Sequence, residues 1–212
     1  MSGRGHHGIL LADGGSRIVN LPFDGPNNST VMTDTTGRVW TPSGAAKLST
    51  AQSFSGGSSL YLPGTTSDYI STAQTADLEF GAADFDIVAY INPANVVSNM
   101  AIAANWHGVA SNFCAWLLYI TNTGKLQLSV GYGTTNAGTP SATSLVANVW
   151  TKVRAFRRGT SLGYEINDVP DSATYNISTN TLNTFSGEPT RVGYANGLAA
   201  YNGYIDQFQI LR

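Results

Sequence analysis

The sequence contains a single cysteine and few charged side chains, and both shortages exclude classes of protein. Cys114 has no partner for an internal disulfide, and its apolar neighbours predict a small buried side chain and not a nucleophile. Lysine and arginine together number 11 against 13 acidic residues, so the chain lacks the cationic surface that nucleic-acid binding requires. We therefore expect no nucleic-acid partner.

Long apolar runs are also missing. No segment approaches the ~18 consecutive apolar residues of a membrane-spanning helix, so no membrane partner is expected. The first twenty residues lack the apolar core of a secretory signal, which predicts synthesis in a cytoplasm without export through the Sec pathway.

Glycine is plentiful, with 23 residues, and aromatic residues make up 10% of the chain. Together with abundant serine, threonine and asparagine, this composition predicts many short strands joined by tight turns. Phe85, Ile87, Ala89 and Ile91 alternate with a second set of residues, as a strand with one buried face would, and this second set comprises Asp86, Val88 and Tyr90. The sequence thus predicts one all-β domain, a two-sheet antiparallel sandwich.

The last twelve residues, YNGYIDQFQILR, predict a strand in which Phe208 and Ile210 face the core while Gln207 and Gln209 face water. The pattern G-x-I-D-x-F-x-I resembles the final strand of laminin-G-like, concanavalin A-like jelly rolls. Two further segments resemble the same family: DYISTAQTADLEFGAADFDI within residues 54–93, and VWTKVRAFRRGTSLGYEINDVP at residues 149–170. The resemblance implies a concanavalin A-like sandwich over residues 21–212.

Residues 1–20 differ from the rest of the chain in composition. They are rich in glycine and carry Arg4 together with an apolar triplet, Ile9, Leu10 and Leu11. Such a segment buries little surface alone, so we interpret it as a flexible arm that becomes ordered on a partner. The alternative is an untethered tail.

Enzymes of this fold that act on glucans place paired carboxylates at alternate positions of one strand, because the two groups must flank the scissile bond. The glutamates here are Glu79, Glu165 and Glu188, and none is two or four residues from another. No serine lies in a G-x-S-x-G turn, and the histidines form no zinc-binding spacing. The sequence therefore predicts no catalytic residues.

Calcium is the one cofactor that the resemblance implies. Relatives in the family hold a Ca²⁺ where the first and last strands meet, and Asp24 and Asp206 match that placement. The alternative is that Asp206 caps a sheet edge through hydrogen bonds.

Aromatic residues supply the remaining candidates for function, because flat rings stack on sugars and amide groups bind hydroxyls. The aromatic residues considered are Trp40, Trp106, Trp116, Trp150, Tyr132, Tyr194, Tyr201 and Tyr204. Two clusters predict contacts with a glycan or a partner, and they comprise Asn105, Trp106 and His107 in one loop and Tyr194, Asn196 and Tyr201 in another. The alternative places most of these rings in the core or in an interface between copies of the chain.

Three functions remain open. The phrases LSTAQSFSGGSSLYLPGTTSDYI and DLEFGAADFDI resemble modules of phage virion proteins, which implies a capsid decoration protein or a small tail or fibre accessory. Its partners would be virion proteins such as the major capsid protein, and we expect a homo-oligomer located in the virion. The second reading is a carbohydrate-binding adhesin that recognises a host-surface glycan, and the third, least favoured, is a glycan hydrolase.

Overall fold

The computed structural model describes residues 15–108, 114–185 and 187–212. These residues form two sheets of nine strands each, and all pairings except one short bridge are antiparallel. The all-β prediction and the concanavalin A-like sandwich are therefore confirmed. In this described part of the chain, no helix is long and apolar enough to cross a membrane.

Sheet A contains the strands nearest the two chain termini. Its main order is β14-β13-β12-β7-β18-β5-β4, with β1 on β18 and β15 on β13. The bounds are β1 Arg17–Leu21, β4 Lys47–Ser49, β5 Ser59–Pro63, β7 Phe85–Pro93, β12 Thr151–Arg158, β13 Ser161–Ile166, β14 Val169–Pro170, β15 Tyr175–Asn176 and β18 Asn202–Leu211.

Sheet B is built mainly from the middle of the chain. Its order is β11-β10-β9-β8-β16-β6-β3-β2, with β17 parallel to β8. The bounds are β2 Met32–Thr33, β3 Val39–Ser43, β6 Tyr69–Thr72, β8 Met100–Trp106, β9 Cys114–Ile120, β10 Leu126–Tyr132, β11 Thr135–Ala137, β16 Thr190–Val192 and β17 Ala199–Ala200. One 3-10 turn, Ala76–Leu78, precedes β7.

The core lies between the two sheets and takes side chains from alternate positions of each strand. Ile87 and Phe208 from sheet A and Ile102 from sheet B are fully buried in it. Trp40 of sheet B meets the ring of Phe208 edge to face, with 6.5 Å between centroids. The contact between these rings packs one sheet against the other. The predicted burial of Phe208 and Ile210 is confirmed.

A bulge in β18 changes which residues of the last strand share a face. Asp206 pairs with Tyr90 and Gln209 with Val88, so two residues of β18 lie opposite Ala89 alone, and Gln207 adopts a φ of 48°. The strict alternation predicted from Asp206 onward is therefore wrong. Asp206 and Phe208 lie on opposite faces, and Gln209, predicted to face water, is buried beside β7.

The chain enters the sandwich earlier than residue 21. β1 begins at Arg17, and Arg17 to Leu21 pair with the second half of β18. Residues 17–20, which the sequence assigned to the arm, are thus part of sheet A, because Val19 is fully buried against the core. The docking residues proposed for the arm, Arg4, Ile9, Leu10 and Leu11, lie outside the described residues.

Candidate functional site

Three of the predicted contact residues come together on the outer face of sheet B. His107 follows β8, while Tyr194 and Asn196 follow β16, its neighbour in the sheet. Asn196 Nδ2 donates to the His107 carbonyl oxygen at 2.7 Å, and Tyr194 Oη donates to Asn196 Oδ1 at 3.0 Å. These contacts join two loops that are nearly ninety residues apart in sequence.

Glu188 is the charged centre of this surface. Its carboxylate contacts His107 Nδ1 at 2.6 Å through Oε2, and it binds Arg191 Nη1 through Oε1. The Glu188 side chain is 9% exposed, whereas that of His107 is 60% exposed. The pairing therefore anchors an accessible imidazole on a nearly buried carboxylate.

Two tyrosine rings complete the surface. Tyr69 on β6 stacks on Tyr194 with 5.8 Å between centroids, and the Arg191 guanidinium lies 5.6 Å from the centre of the Tyr69 ring. Tyr69 and Arg191 point outward because their neighbours Ile70 and Val192 are buried in the core. We call this group the sheet B patch, and it consists of Tyr69, His107, Glu188, Arg191, Tyr194 and Asn196.

A shallow groove extends the sheet B patch along the sheet. It begins beside Ser71, which pairs with Arg191, and its volume is about 410 Å³. Its lining is mostly small and polar, and consists of Arg38, Val39, Thr41, Ser71, Thr72, Ala73, Thr75 and Pro189. An elongated ligand that contacts the patch would therefore find hydroxyl groups and one guanidinium further along the same face.

Asn105 supports the patch from beneath and does not reach the surface. It is fully buried, and its Nδ2 donates to the Glu188 carbonyl oxygen at 2.7 Å and to Gln74 Oε1 at 3.2 Å. These bonds hold the segment before β16 against β8. Its predicted direct contact with a ligand is inconsistent with this burial.

Trp106 and Tyr201 are likewise buried, with 8% and 0% of their surface exposed. Trp106 belongs to a small second cluster with Cys114 and Leu117. Tyr201 donates its hydroxyl to the Tyr204 carbonyl oxygen at 3.2 Å, and burial raises its pKa well above the usual value of 10. Both rings are therefore part of the packed interior, in agreement with the alternative interpretation that places most of the aromatic residues in the core.

The sequence missed Tyr69, Glu188 and Arg191. Tyr69 could have been found, because it and Ser71 alternate with the apolar Ile70 in the way of an outward-facing residue. Glu188 and Arg191 carry no comparable signal, since only the pairing of β16 with β6 and β8 brings them to the tyrosines.

Asp206 lies at the bulge where the neighbour of β18 changes from β5 to β1. It is fully buried, and its Oδ2 accepts the backbone N–H groups of Phe54 and Ser55 at 2.9 and 3.0 Å. Its Oδ1 accepts the N–H of Gln207 at 2.8 Å. Burial, with a smaller contribution from the charge of Asp24, raises the pKa of Asp206 to about 6 against the opposing effect of these bonds.

These surroundings do not fit the calcium ion implied for Asp24 and Asp206. Three N–H groups point at the Asp206 carboxylate, and a cation would be repelled by the same donors that stabilise the anion. Among the described residues no group of three acidic, histidine or cysteine side chains is placed to hold a metal. The arrangement matches the alternative, in which Asp206 caps a sheet edge, and calcium binding stays an untested prediction.

Three carboxylates near the outer faces are held by neighbouring side chains. Glu165 binds Arg154 at 2.8 Å, and Asp86 binds Arg154 and Arg158 at 2.7 and 2.8 Å. Glu188 is held by Arg191 and His107 as described. All three carboxylates are therefore engaged by neighbouring side chains.

The geometry defines a two-sheet sandwich that carries a polar and aromatic surface on one outer face. A family model described as "concanavalin A-like lectin/glucanases superfamily", of the laminin-G type, matches residues 63–212. The chain belongs to this superfamily. No curated protein sequence matches the chain.

Solved structures with the same fold share little sequence with the chain. Domain 4 of an extracellular arabinanase from Geobacillus stearothermophilus, in complex with arabinotriose, is 13% identical with a TM-score of 0.67, and 93% of each chain is covered. The binding domain of Paraclostridial Mosquitocidal Protein 1 is 13% identical with a TM-score of 0.68, and the receptor-binding domain of botulinum neurotoxin D is 15% identical with a TM-score of 0.65. Each match covers 92% of this chain, which spans about half the length of these toxin domains (48% and 49%).

Proposed function

We propose that the protein is a non-catalytic carbohydrate-binding component of a virus particle and that the sheet B patch contacts the glycan. The observation that carries the binding role is the stack of Tyr69 on Tyr194, bordered by the hydrogen-bonding groups of Arg191 and Asn196. Sugars present flat C–H faces and a rim of hydroxyls, which match rings bordered by polar side chains. The arabinanase domain, whose structure contains arabinotriose, supports this reading as a relative in fold.

The patch is arranged before any ligand binds. Each of Arg191, Glu188 and Asn196 is fixed by at least one partner within the patch, so binding would freeze few side-chain rotamers. Arg191 supplies a charged donor, which forms stronger hydrogen bonds than a neutral group does, and the nearly buried Glu188 holds that donor in place. The groove beside Ser71 gives room for further sugar units.

Loss of the tyrosine stack tests the binding role. We expect Tyr194→Ala to weaken retention of the protein on an immobilised-glycan array by about tenfold or more, as the loss of an aromatic contact predicts. The matched control is Val97→Ala, because Val97 is 73% exposed and lies outside the patch. Equal retention of wild type and Tyr194→Ala on every bound glycan would exclude the patch.

The absence of catalysis is a separate part of the proposal. It rests on the neighbouring side chains that engage the carboxylates of Glu165 and Glu188, and on the spacing of the glutamates, none of which is two or four residues from another. We expect no reducing sugar to be released from β-glucan or arabinan on prolonged incubation. Release that disappears in Glu188→Gln would instead establish a hydrolase.

The proposal that the protein is part of a virus particle is supported by the resemblance of residues 48–70 and 77–87 to phage virion modules. We propose a capsid decoration protein or a small tail or fibre accessory, with Arg4 and the Ile9, Leu10 and Leu11 triplet docking on other virion proteins. Quantitative mass spectrometry of purified particles tests this placement: hundreds of copies indicate decoration, a dozen or fewer indicate tail or fibre, and none refutes it.

Deletion of residues 1–14 tests the arm by itself. We expect the truncated protein to keep its melting temperature, because the deletion leaves every described strand intact, and to lose incorporation into particles. Normal incorporation would remove the docking role from the arm. An adhesin that is not part of a virion is the remaining alternative, and it would bind glycan but be missing from purified particles.

A further inference from the structure

A second aromatic surface lies on the outer face of sheet A, on the other side of the sandwich from the sheet B patch. Phe54, in the loop between β4 and β5, stacks on Tyr90 of β7 with 3.7 Å between centroids and 18° between ring planes. Trp150 meets Phe54 edge to face at 6.3 Å. Phe54 is 48% exposed although it is a large apolar residue, so its ring forms an open platform.

The platform is held rigidly from below. The backbone N–H groups of Phe54 and Ser55 are bound by the buried carboxylate of Asp206, which fixes the loop that carries the ring. Gly56, next in the loop, has a φ of 68°, and a side chain there would collide with Asp24. A ring fixed in this way loses little freedom when a ligand stacks on it.

A small polar pocket lies beside the platform and has a volume of about 80 Å³. Each of the three amide side chains that line it is two residues from one of the three rings: Gln52 precedes Phe54, Asn92 follows Tyr90, and Asn148 precedes Trp150. On a strand such as β7 this spacing puts both side chains on one face. The pocket is completed by Ala94, Gly203 and Tyr204.

The side-chain amide of Asn92 forms no hydrogen bond with the residues that the structure describes. Asn92 is only 7% exposed and lines the pocket, yet no residue that the structure describes forms a hydrogen bond with its side chain. The amide therefore opens to the pocket, where water or a ligand can bond to it. The side chains of Gln52 and Asn148, which are exposed, also lack a protein partner in the described chain.

The chemistry of the pocket selects the class of ligand. Among the described residues no charged side chain lines it, and the nearby Lys152 ammonium is paired with Asp168 at 2.5 Å. Amides both donate and accept, as the hydroxyl groups of sugars do, whereas an anionic ligand would need an unpaired cation. We propose that this surface, the sheet A patch, is a second carbohydrate-binding site, which takes a neutral oligosaccharide with one unit in the amide pocket and the next on Phe54.

The two patches lie on opposite outer faces, so one molecule would bind two glycan chains at once. Bivalent attachment raises the apparent affinity for a surface that displays many copies of a glycan. The sheet A patch shares no residue with the sheet B patch, and each can therefore be disabled without the other.

The test is affinity electrophoresis of the full chain in gels that contain arabinan, xylan, β-glucan or galactomannan. Phe54→Ala removes the platform, and Asn148→Gly removes one amide without straining the backbone, since Asn148 has a φ of 58° that glycine adopts freely. We expect each variant to weaken binding to at least one polysaccharide by about tenfold, with a melting temperature lowered by no more than about 4 °C. Val97→Ala is the control and should migrate as wild type.

Tyr194→Ala separates the two proposals. Suppose that a polysaccharide retards Tyr194→Ala as it does wild type but no longer retards Phe54→Ala. The sheet A patch then binds sugar, whether or not the sheet B patch does. Retardation that is lost in Tyr194→Ala but unchanged in both Phe54→Ala and Asn148→Gly overturns the second site and leaves the first. Wild-type migration unaffected by all four polysaccharides overturns the assignment of neutral glycans to the sheet A patch.

Discussion

The outer faces of the two sheets each carry a pair of stacked rings, but the polar groups beside the rings differ in whether they are already hydrogen-bonded within the protein. In the sheet B patch, Glu188, Arg191 and Asn196 are bonded to other members of the patch. In the sheet A patch, the amides of Asn92 and Asn148 have no partner among the described residues. A ligand on sheet B must therefore exchange existing hydrogen bonds, whereas one on sheet A would satisfy groups that only water can otherwise reach.

This difference shows that exposed rings alone do not define a binding surface. The geometry of both stacks is set by strands and loops that the core holds in place. Their surroundings decide what each can bind: charged, prearranged groups on sheet B favour a ligand with many polar contacts, and neutral amides on sheet A favour hydroxyls.

The largest effect should come from removing the core ring that both faces share. Phe208→Ala should destabilise the protein by about 3–5 kcal/mol, because a fully buried ring is deleted and a cavity remains. Urea unfolding measures the change, and Phe54→Ala is the control, since the same substitution at an exposed ring should cost less than about 1 kcal/mol. Similar losses in both variants would show that Phe54 is part of the core and not a platform.

A smaller effect should be confined to the sheet B patch. Glu188→Gln removes the negative charge that pairs with Arg191 and changes the hydrogen bond with His107, so we expect a loss of about 1–3 kcal/mol in the free energy of unfolding. Glu79→Gln is the matched control, because no described residue bonds to the Glu79 carboxylate. If Glu188→Gln were as stable as that control, the ion pairs would not organise the patch.

The stability of the protein should depend on pH through Asp206, which holds the loop beneath the sheet A patch. Because the pKa of Asp206 is raised to about 6 in the folded state, its protonated form stabilises the fold below about pH 4, and this contribution is lost as the pH rises through 6. We expect stability to fall by about 1–2 kcal/mol between pH 5 and 7 through this group alone. Asp206→Asn should flatten that slope, and an identical slope in the variant would mean that another group is responsible.

The smallest effect concerns calcium. Because backbone N–H groups point at Asp206, we expect the same melting temperature in EDTA and in millimolar Ca²⁺. A higher melting temperature in Ca²⁺ that disappears in Asp24→Asn would restore the ion implied by the family resemblance. The sheet A loop would then be held by a metal and not by hydrogen bonds alone.

The sequence by itself determined the fold class and the approximate position of several strands. Alternation is a local property, so the burial of Phe85, Ile87, Phe208 and Ile210 could be read directly. Glycine and proline marked the turns for the same reason, as between β12 and β13 at Gly159. The lack of paired carboxylates was equally visible, because that signature lies within a single strand.

Only the tertiary structure decided which residues meet. The bulge in β18 placed Asp206 and Phe208 on opposite faces of sheet A and buried Gln209, because pairing with β7 overrode the local alternation. Pairing of distant strands brought Tyr69 to Tyr194 and buried Asn105 beneath them. Such contacts depend on the order of strands in a sheet, which is a non-local property, so the sequence named three members of the sheet B patch but could not assemble it.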